Sequence, residues 1–470
     1  MAAARIRRLL PSMLVATAAL LASAAPAHAA PHRISTGFGE PLFGGEPAEA
    51  RLWLERGREA GGEIARLNVS WASIAPRRRP AGFRPGNPRS SAYDWSGLDT
   101  VVRRAGRAGY RVFFTVFDAP RWAEGRRRPR SAPAGTWKPR PGAVRAFARA
   151  IAQRYSGRFT GPGGRRLPRV RLYQAWNEQN LNSYLTPQWR GRTPVSAIHY
   201  RTLLNAFYAG VKSSQPRAKV LTGGTAPYGD VPGRGRVPPV VFWRRVLCLK
   251  GPRLRGLPCR RPAHLDILAH HPINVGGPTR SALSPKDAST PDFGPLRAAL
   301  RRATRTGRAL PRRGKPRWAT EIWWDSRPPD PNGIPLRRHA RWYEQALYVL
   351  WQQRVRAVVF LQVGDSPPLP SYAASLQSGV YFRSGKPKPA RRALRFPLVI
   401  DKRTRRGPVA WGIAPRAGVL RIQRRHGDRW QTVARRVVRR RSAFLVRLGR
   451  GTGRFRARMK SETSLVWRQR

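Results

Sequence analysis

Acids are scarce in this sequence: 23 Asp+Glu stand against 92 Lys+Arg in 470 residues, a formal net charge of +69. Only ten of the cations are Lys, so the excess is almost all Arg, and it comes with 44 Gly, 45 Pro and abundant Ala. That bias is partly one of GC-rich codons, which keeps the charge from naming a partner by itself. The arginines are scattered along the whole chain and no recognised nucleic-acid-binding motif is present, so no nucleic acid partner is expected. No cluster of His, Cys and Asp has metal-ligand spacing, and neither a metal nor an organic cofactor is expected. The two cysteines, Cys248 and Cys259, have too few ligands nearby for a metal site. In an oxidising compartment they are expected to form a disulfide closing a short basic loop, with two free thiols as the alternative. What the chain does have is 41% hydrophobic residues, with 16 Trp, 16 Phe and 12 Tyr, which excludes wholesale disorder and allows a large core.

Arg5, Arg7 and Arg8 precede an apolar stretch over 9–25, and Ala27-His28-Ala29 follows as an A-x-A cleavage site. Residues 1–29 therefore read as a secretory signal peptide. An uncleaved anchor is the alternative, since the run is nearly long enough to span a bilayer. Pro11 and the small residues at its end favour cleavage. No later segment approaches transmembrane length, so the expected mature protein is soluble and secreted, either extracellular or associated with the cell envelope.

Short β-rich runs then alternate with longer helical patterns, the signature of a parallel sheet covered by helices. Eight β runs are expected, over 33–39, 64–70, 111–117, 169–175, 219–223, 265–270, 317–321 and 357–362. Helical segments are expected over 48–60, 95–108, 141–155, 194–213, 239–249, 295–302, 335–353 and 389–394, several with proline in the first turn, where its missing N–H costs nothing. This is the pattern of an α/β fold, a (β/α)8 TIM barrel over residues 30–396. A doubly wound open sheet is the alternative, but no Gly-rich phosphate turn follows the first run. The long Pro-, Gly- and Arg-rich loops follow strands, and in a barrel they lie on the face that carries the chemistry. From 397 the period changes to two, with runs over 419–424, 430–434, 444–448 and 455–459, so residues 397–470 are expected to form a small all-β, sandwich-like domain. Those 74 residues hold 22 Lys+Arg and three Asp+Glu, about twice the charge density of the rest.

With only 11 Glu in the chain, a Glu at a strand end is informative. Glu178 follows Trp176-Asn177 at the end of the fourth run, and Glu321 ends the seventh in Trp318-Ala319-Thr320-Glu321-Ile322-Trp323-Trp324. Strands four and seven project into one mouth from different sides. Two facing carboxylates are what glycosidic cleavage needs: one donates a proton to the leaving oxygen and the other attacks or stabilises the anomeric carbon.

These residues resemble the clan of retaining (β/α)8 glycoside hydrolases that includes the family 5 cellulase-like and family 39 xylosidase-like enzymes. The resemblance implies Glu178 as acid/base, Glu321 as nucleophile and Asn177 as a hydrogen-bond partner of the sugar 2-hydroxyl. Arg66-Leu67-Asn68-Val69-Ser70-Trp71 resembles the clan's Arg-x-x-x-Ser-Trp segment, in which the Arg sits close to the nucleophile and keeps it ionised. His270-His271-Pro272 resembles the clan's sixth-strand segment bordering the nucleophile. Adjacent strand residues face opposite ways, so one histidine is expected to point out of the barrel; the separation from Asp266 favours His270 as the inward one. Asp118 is read as a substrate contact or a loop cap. Trp71, Trp122, Tyr184, Trp189, Trp323 and Trp324 lie in strand-end loops, as core or as platforms for sugar rings. The chain departs from the clan in having Pro272-Ile273-Asn274 where a Tyr often follows the histidine, and Phe360-Leu361-Gln362 where a Trp commonly ends the eighth strand; Trp323 or Trp324 is the candidate replacement.

The expected function is therefore that of a secreted retaining glycosidase acting on a poly- or oligosaccharide with β linkages. The alternative is a non-catalytic barrel that binds an anionic envelope polymer, with Arg456, Arg458 and Lys460 sharing one exposed strand face of the C-terminal domain.

Overall fold

The computed structural model describes residues 31–39, 43–402, 407–449 and 452–469; the expected signal peptide lies outside them. His32–Arg470 group into one compact unit. No described helix is long and apolar enough to cross a membrane.

Eight parallel strands build the centre: β1 Ser35–Gly39, β2 Ile64–Ser70, β3 Arg111–Phe117, β4 Leu172–Asn177, β5 Lys219–Gly224, β6 Leu268–His270, β7 Arg317–Ile322 and β8 Val355–Phe360. A helix follows each in turn: α1 Pro47–Glu59, α2 Ser96–Arg107, α3 Pro141–Arg154, α4 Val195–Ser214, α5 Pro239–Val246, α6 Phe293–Arg305, α7 Leu336–Gln352 and α8 Pro389–Arg395. Proline opens α1, α3, α5 and α8, where a helix needs no N–H. The sheet runs β5-β4-β3-β2-β1-β8-β7-β6. Bridges Leu221–Ile267 and Thr225–His270 join β6 back to β5 and close the barrel. Alternation sorts the strand side chains into two cores. Ile64, Phe113, Leu221, Ile267, Trp318, Ala357 and Val359 fill the interior. Residues between them, such as Ala65, Phe114, Val220, Leu268 and Val358, join the larger core under the helices.

After α8 come antiparallel strands: β9 Leu398–Asp401, β10 Val409–Ile413, β11 Gly418–His426, β12 Arg429–Val438, β13 Ala443–Arg447, β14 Gly453–Met459, β15 Glu462–Thr463 and β16 Trp467–Gln469. One sheet is β9-β10-β13; the other is β12-β11-β14-β15, with β16 on β14. Leu398, Ile400, Ala410, Phe444 and Val446 of the first sheet share a core with Leu420, Ile422, Phe455, Ala457 and Met459 of the second. The opposite face of the first sheet presents the cross-strand row Val399, Trp411 and Leu445. Trp411 packs on Tyr348 and Trp351 of α7, with ring centroids 5.2 and 5.8 Å away. β9 and β10 are buried on both faces, so they lack the alternation that marks the other strands, and sequence periodicity does not find them.

The Cys248–Cys259 disulfide is formed, closing a loop that contains the short ladder Leu249–Lys250 with Arg255–Gly256.

Candidate active site

β2 turns Ile64 into the barrel, and two residues on it turns Arg66 the same way, with 1% exposure. Three hydrogen bonds hold this guanidinium. Nε donates to Thr115 Oγ1 of β3 at 3.0 Å, Nη2 to Asn177 Oδ1 of β4 at 2.8 Å and Nη1 to Glu321 Oε2 of β7 at 2.6 Å. A polar layer lies beside it: Thr115 Oγ1 donates to Gln174 Oε1 at 2.9 Å, and Gln174 Nε2 to Thr320 Oγ1 at 3.3 Å. The planar fork of Arg suits this three-strand bridge; a Lys has one nitrogen for the same three partners.

Glu321 reaches the mouth through a break in alternation. Trp318 faces inward, so strict period two sends Thr320 in and Glu321 out. The β7–β8 ladder, however, slips between Ala319 and Ile322. This bulge spends one extra residue on β7 and turns both Thr320 and Glu321 inward. On β4, Asn177 is flanked by Trp176 at φ 80° and Glu178 at φ 34°, left-handed values that are rare for side-chain-bearing residues. Glu178 N donates to Gly224 O at 2.9 Å, fixing the turn that aims its carboxylate.

His271 lies between the two carboxylates. Its Nδ1 is 3.0 Å from Glu178 Oε1 and 3.8 Å from Glu321 Oε2, and the ring is fully buried. Gly224 makes room for it, since a Cβ there would come within 2.1 Å of Nε2. One ligand atom each of Glu178, His271 and Glu321 falls within 4.8 Å of the others, so the two carboxylates face each other closely across the mouth. A metal ion is a poor occupant of this set, because the Arg66 cation already holds Glu321 Oε2. Burial pushes the Glu321 carboxyl up, but the His271 and Arg66 charges and hydrogen bonds from Arg66 and Trp323 outweigh it and hold it below the usual carboxylate range.

The inward histidine is His271, a correction to the expectation of His270. Asp266, the reference for that expectation, itself faces outward and pairs with Lys212 of α4 at 2.8 Å. Counted from Ile267, which is inside, alternation brings in Ala269 and His271. His270 points at α6: Nδ1 meets Thr225 Oγ1 at 2.9 Å, Nε2 meets Ala288 O at 2.7 Å, and burial pushes it down to about 4.

Two of the candidate platforms are packed away. Trp71, 1% exposed, stacks on Phe147 of α3, and Trp324 donates Nε1 to Asn274 O at 2.7 Å while packing on Trp342. A sugar has no access to either face. Trp122 is half-buried, edge-on to Trp71 and Phe83, with Nε1 on Pro76 O. Trp189 is half-buried with Nε1 on Arg236 O. Asp118 Oδ2 accepts from Ser70 Oγ at 2.5 Å, tying the ends of β2 and β3 together. Trp323 and Tyr184 are the two half-buried aromatics in touch with the polar centre. Trp323 helps hold the Glu321 carboxyl down. At Tyr184, burial followed by the Glu178 and Glu321 charges raises the hydroxyl, against a lowering contribution from Asn177. Sequence reading missed Thr115, Gln174 and Thr320; polar residues at inward positions of barrel strands are the signal that marks them.

The fold is shared with solved glycoside hydrolases. A family 39 glycoside hydrolase from the gut symbiont Bacteroides cellulosilyticus WH2 matches with a TM-score of 0.55 at 14% identity, over 89% of this chain and 81% of that one. A GH30 endoxylanase from Clostridium papyrosolvens C71 matches with a TM-score of 0.50 at 11% identity, over 89% of this chain and 94% of that one. No protein-family model matches the sequence, and no curated protein does. The chain thus has the (β/α)8 fold of these glycoside hydrolases, with a pair of carboxylates at its β4 and β7 ends.

Proposed function

We propose that this protein is a secreted, retaining glycoside hydrolase. The observation that carries the reading is the opposed pair Glu178 and Glu321, with carboxylate oxygens within 4.8 Å and Arg66 bound to one of them only. Retaining enzymes hold their carboxyl groups about 5–5.5 Å apart and inverting ones about 6.5–9.5 Å, leaving the latter room for a water. Glu321, kept ionised by Arg66 and His271, attacks the anomeric carbon. Glu178 gives its proton to the departing glycosidic oxygen as the bond to the aglycone breaks. Glu178, now a carboxylate, takes a proton from water, which displaces Glu321 and releases the sugar with its starting configuration. Asn177, anchored by Arg66, is placed for the 2-hydroxyl, and Trp323 and Tyr184 border the reacting sugar. The substrate is taken to be a β-linked poly- or oligosaccharide, reached outside the cytoplasm after loss of residues 1–29.

The test is turnover of a panel of aryl β-glycosides and polysaccharides by the mature protein beside Glu178→Ala and Glu321→Ala. Proton NMR of the first-formed anomer then reports stereochemistry. Retention, with both variants inactive, is the expected result. An inverted product, or full activity in either variant, overturns the assignment.

A further inference from the structure

At the end of the barrel where the strands begin, opposite the carboxylates, a cavity of 280 Å³ opens between the barrel and the loop joining β12 to β13. Five arginines line it (Arg33, Arg58, Arg395, Arg440 and Arg441), with Glu63 as its one acid. Some of these cations are already engaged. Arg33 pairs with Glu63 Oε1, and Arg395 donates to Glu462 at 3.0 and 3.2 Å. Arg441 is not. It is 5% exposed, its Nη2 donates to Thr36 Oγ1 at 2.5 Å, and its Nε and Nη1 are buried without any hydrogen-bond partner. Buried guanidinium N–H groups are normally paired, so two free ones on a single residue mark a place for an acceptor.

The chain conformation is adapted to put that guanidinium there. Arg441 sits at φ 57°, a left-handed value that persists only where the surroundings enforce it. Gly61, at φ 92°, lets the guanidinium lie against its backbone, since a Cβ would meet Nη1 at 2.8 Å. Burial, and then Arg395, Arg33 and Arg440, push Arg441 down to about 10 against the pull of Glu63. An anion in the cavity would relieve that mutual repulsion, and a small turn of the guanidinium would bring its free N–H groups onto it. Small-molecule clefts run from about 300 to 1,000 Å³, so this volume suits a compact ion or headgroup and not an oligosaccharide.

We propose that this cavity binds a phosphate-class oxyanion, with Arg441 as the central ligand and Arg33 and Arg440 closing over it. The forked guanidinium matches phosphate oxygens in pairs. The ligand would join the start of the barrel to the C-terminal sheets, and it is independent of the glycosidase reading. Its source is either a free phosphate or a phosphate within a polymer.

Thermal unfolding of the full chain tests this, in potassium phosphate against potassium chloride at matched ionic strength. A third arm uses a glycerol-phosphate polymer. Saturating phosphate is expected to raise Tm by about 3 °C or more. The Arg33→Ser/Arg440→Ser double variant, which changes two exposed cations and leaves the buried one in place, should lose that rise while still unfolding cooperatively. A rise with the polymer as well assigns the source to a phosphodiester chain; a rise with phosphate alone assigns it to the free or terminal ion. An equal rise in chloride, or an undiminished rise in the double variant, overturns the proposal.

Discussion

Arg66 Nη1 and Glu321 Oε2 lie 2.6 Å apart although 255 residues separate them in sequence, linking β2 to the end of β7. Arg66 is buried and Glu321 only slightly exposed, so each partner stands in for the water the other has lost. Breaking such a pair by removing one member typically costs about 3–5 kcal/mol, because a buried charge is left alone. Arg66→Met should therefore lower stability by that order, measured by denaturant unfolding. If the cation is needed only for folding, activity per folded molecule will be unchanged, and the role given to it here is wrong.

The same pair sets a pH dependence. Glu321 lies below the usual carboxylate range of about 4.3. As the proposed nucleophile it must be ionised to attack, so the acid limb of kcat/KM should fall below that value and move upward in Arg66→Met. The sign for stability is consistent: a depressed carboxylate stabilises the fold above its unfolded pKa, and that contribution fades as pH drops through the folded one. Rate profiles across the acid range would show it, and an acid limb identical in both proteins would refute it.

The two adjacent histidines should separate cleanly. His271 faces both carboxylates and His270 faces α6. His271→Ala is expected to cut kcat/KM by about 10²-fold or more with a modest change in Tm. His270→Ala should do the reverse, losing stability through Thr225 and Ala288 while folded molecules keep their turnover. Parallel Tm and kinetic measurements on the two variants decide it.

Glu344 of α7 provides a pH signature away from the site. It is buried, accepts from Leu398 N at 3.3 Å and from Arg341 Nη1 at 2.7 Å, and burial pushes it up to about 8 despite Arg341. A carboxyl raised on folding contributes most below its unfolded pKa and loses that contribution as pH rises toward the folded value. Stability relative to Glu344→Gln should therefore decline between about pH 5 and 8 and level off above. Denaturant midpoints at four or five pH values suffice, and a flat difference would contradict the assignment.

The Cys248–Cys259 bridge closes a short loop, with 11 residues of sequence separation. Chain-entropy reasoning gives about 3 kcal/mol for a loop of this size. The Cys248→Ser/Cys259→Ser variant should lose stability of that order and retain its catalytic constants, since the loop lies at the C-terminal end of α5 and touches neither carboxylate.

Most of the barrel was legible because each βα unit changes hydrophobic period from two to 3.6, and its strands and helices fall within a few residues of the expected positions. β9 and β10 were not, since burial on both faces erases alternation. Within the site, Glu178 could be found from its strand-end position, while Arg66 and Asn177 were marked by the resemblance to the clan's motifs. Glu321 could be placed on β7 but not oriented, because its inward turn depends on a bulge visible only in the β7–β8 register. The histidine choice failed for the opposite reason: alternation held, but it was counted from Asp266, which the fold ties to Lys212 on the outside.

By itself, then, the sequence determined the order of eight βα units and, through its scarcity of acids, drew attention to the carboxylates at two strand ends. Those features are local, written in period and position along the chain. Tertiary structure decided which side chains meet. Barrel closure, the β7 bulge and the left-handed turn at Glu178 bring Arg66, His271 and the two carboxylates together from four different strands, while helix packing removes Trp71 and Trp324 from the mouth. It also decided the fate of the arginines: on the opposite face, packing the C-terminal sheets against the barrel buried one guanidinium with two donors unpaired, which no reading of a net charge of +69 could have located.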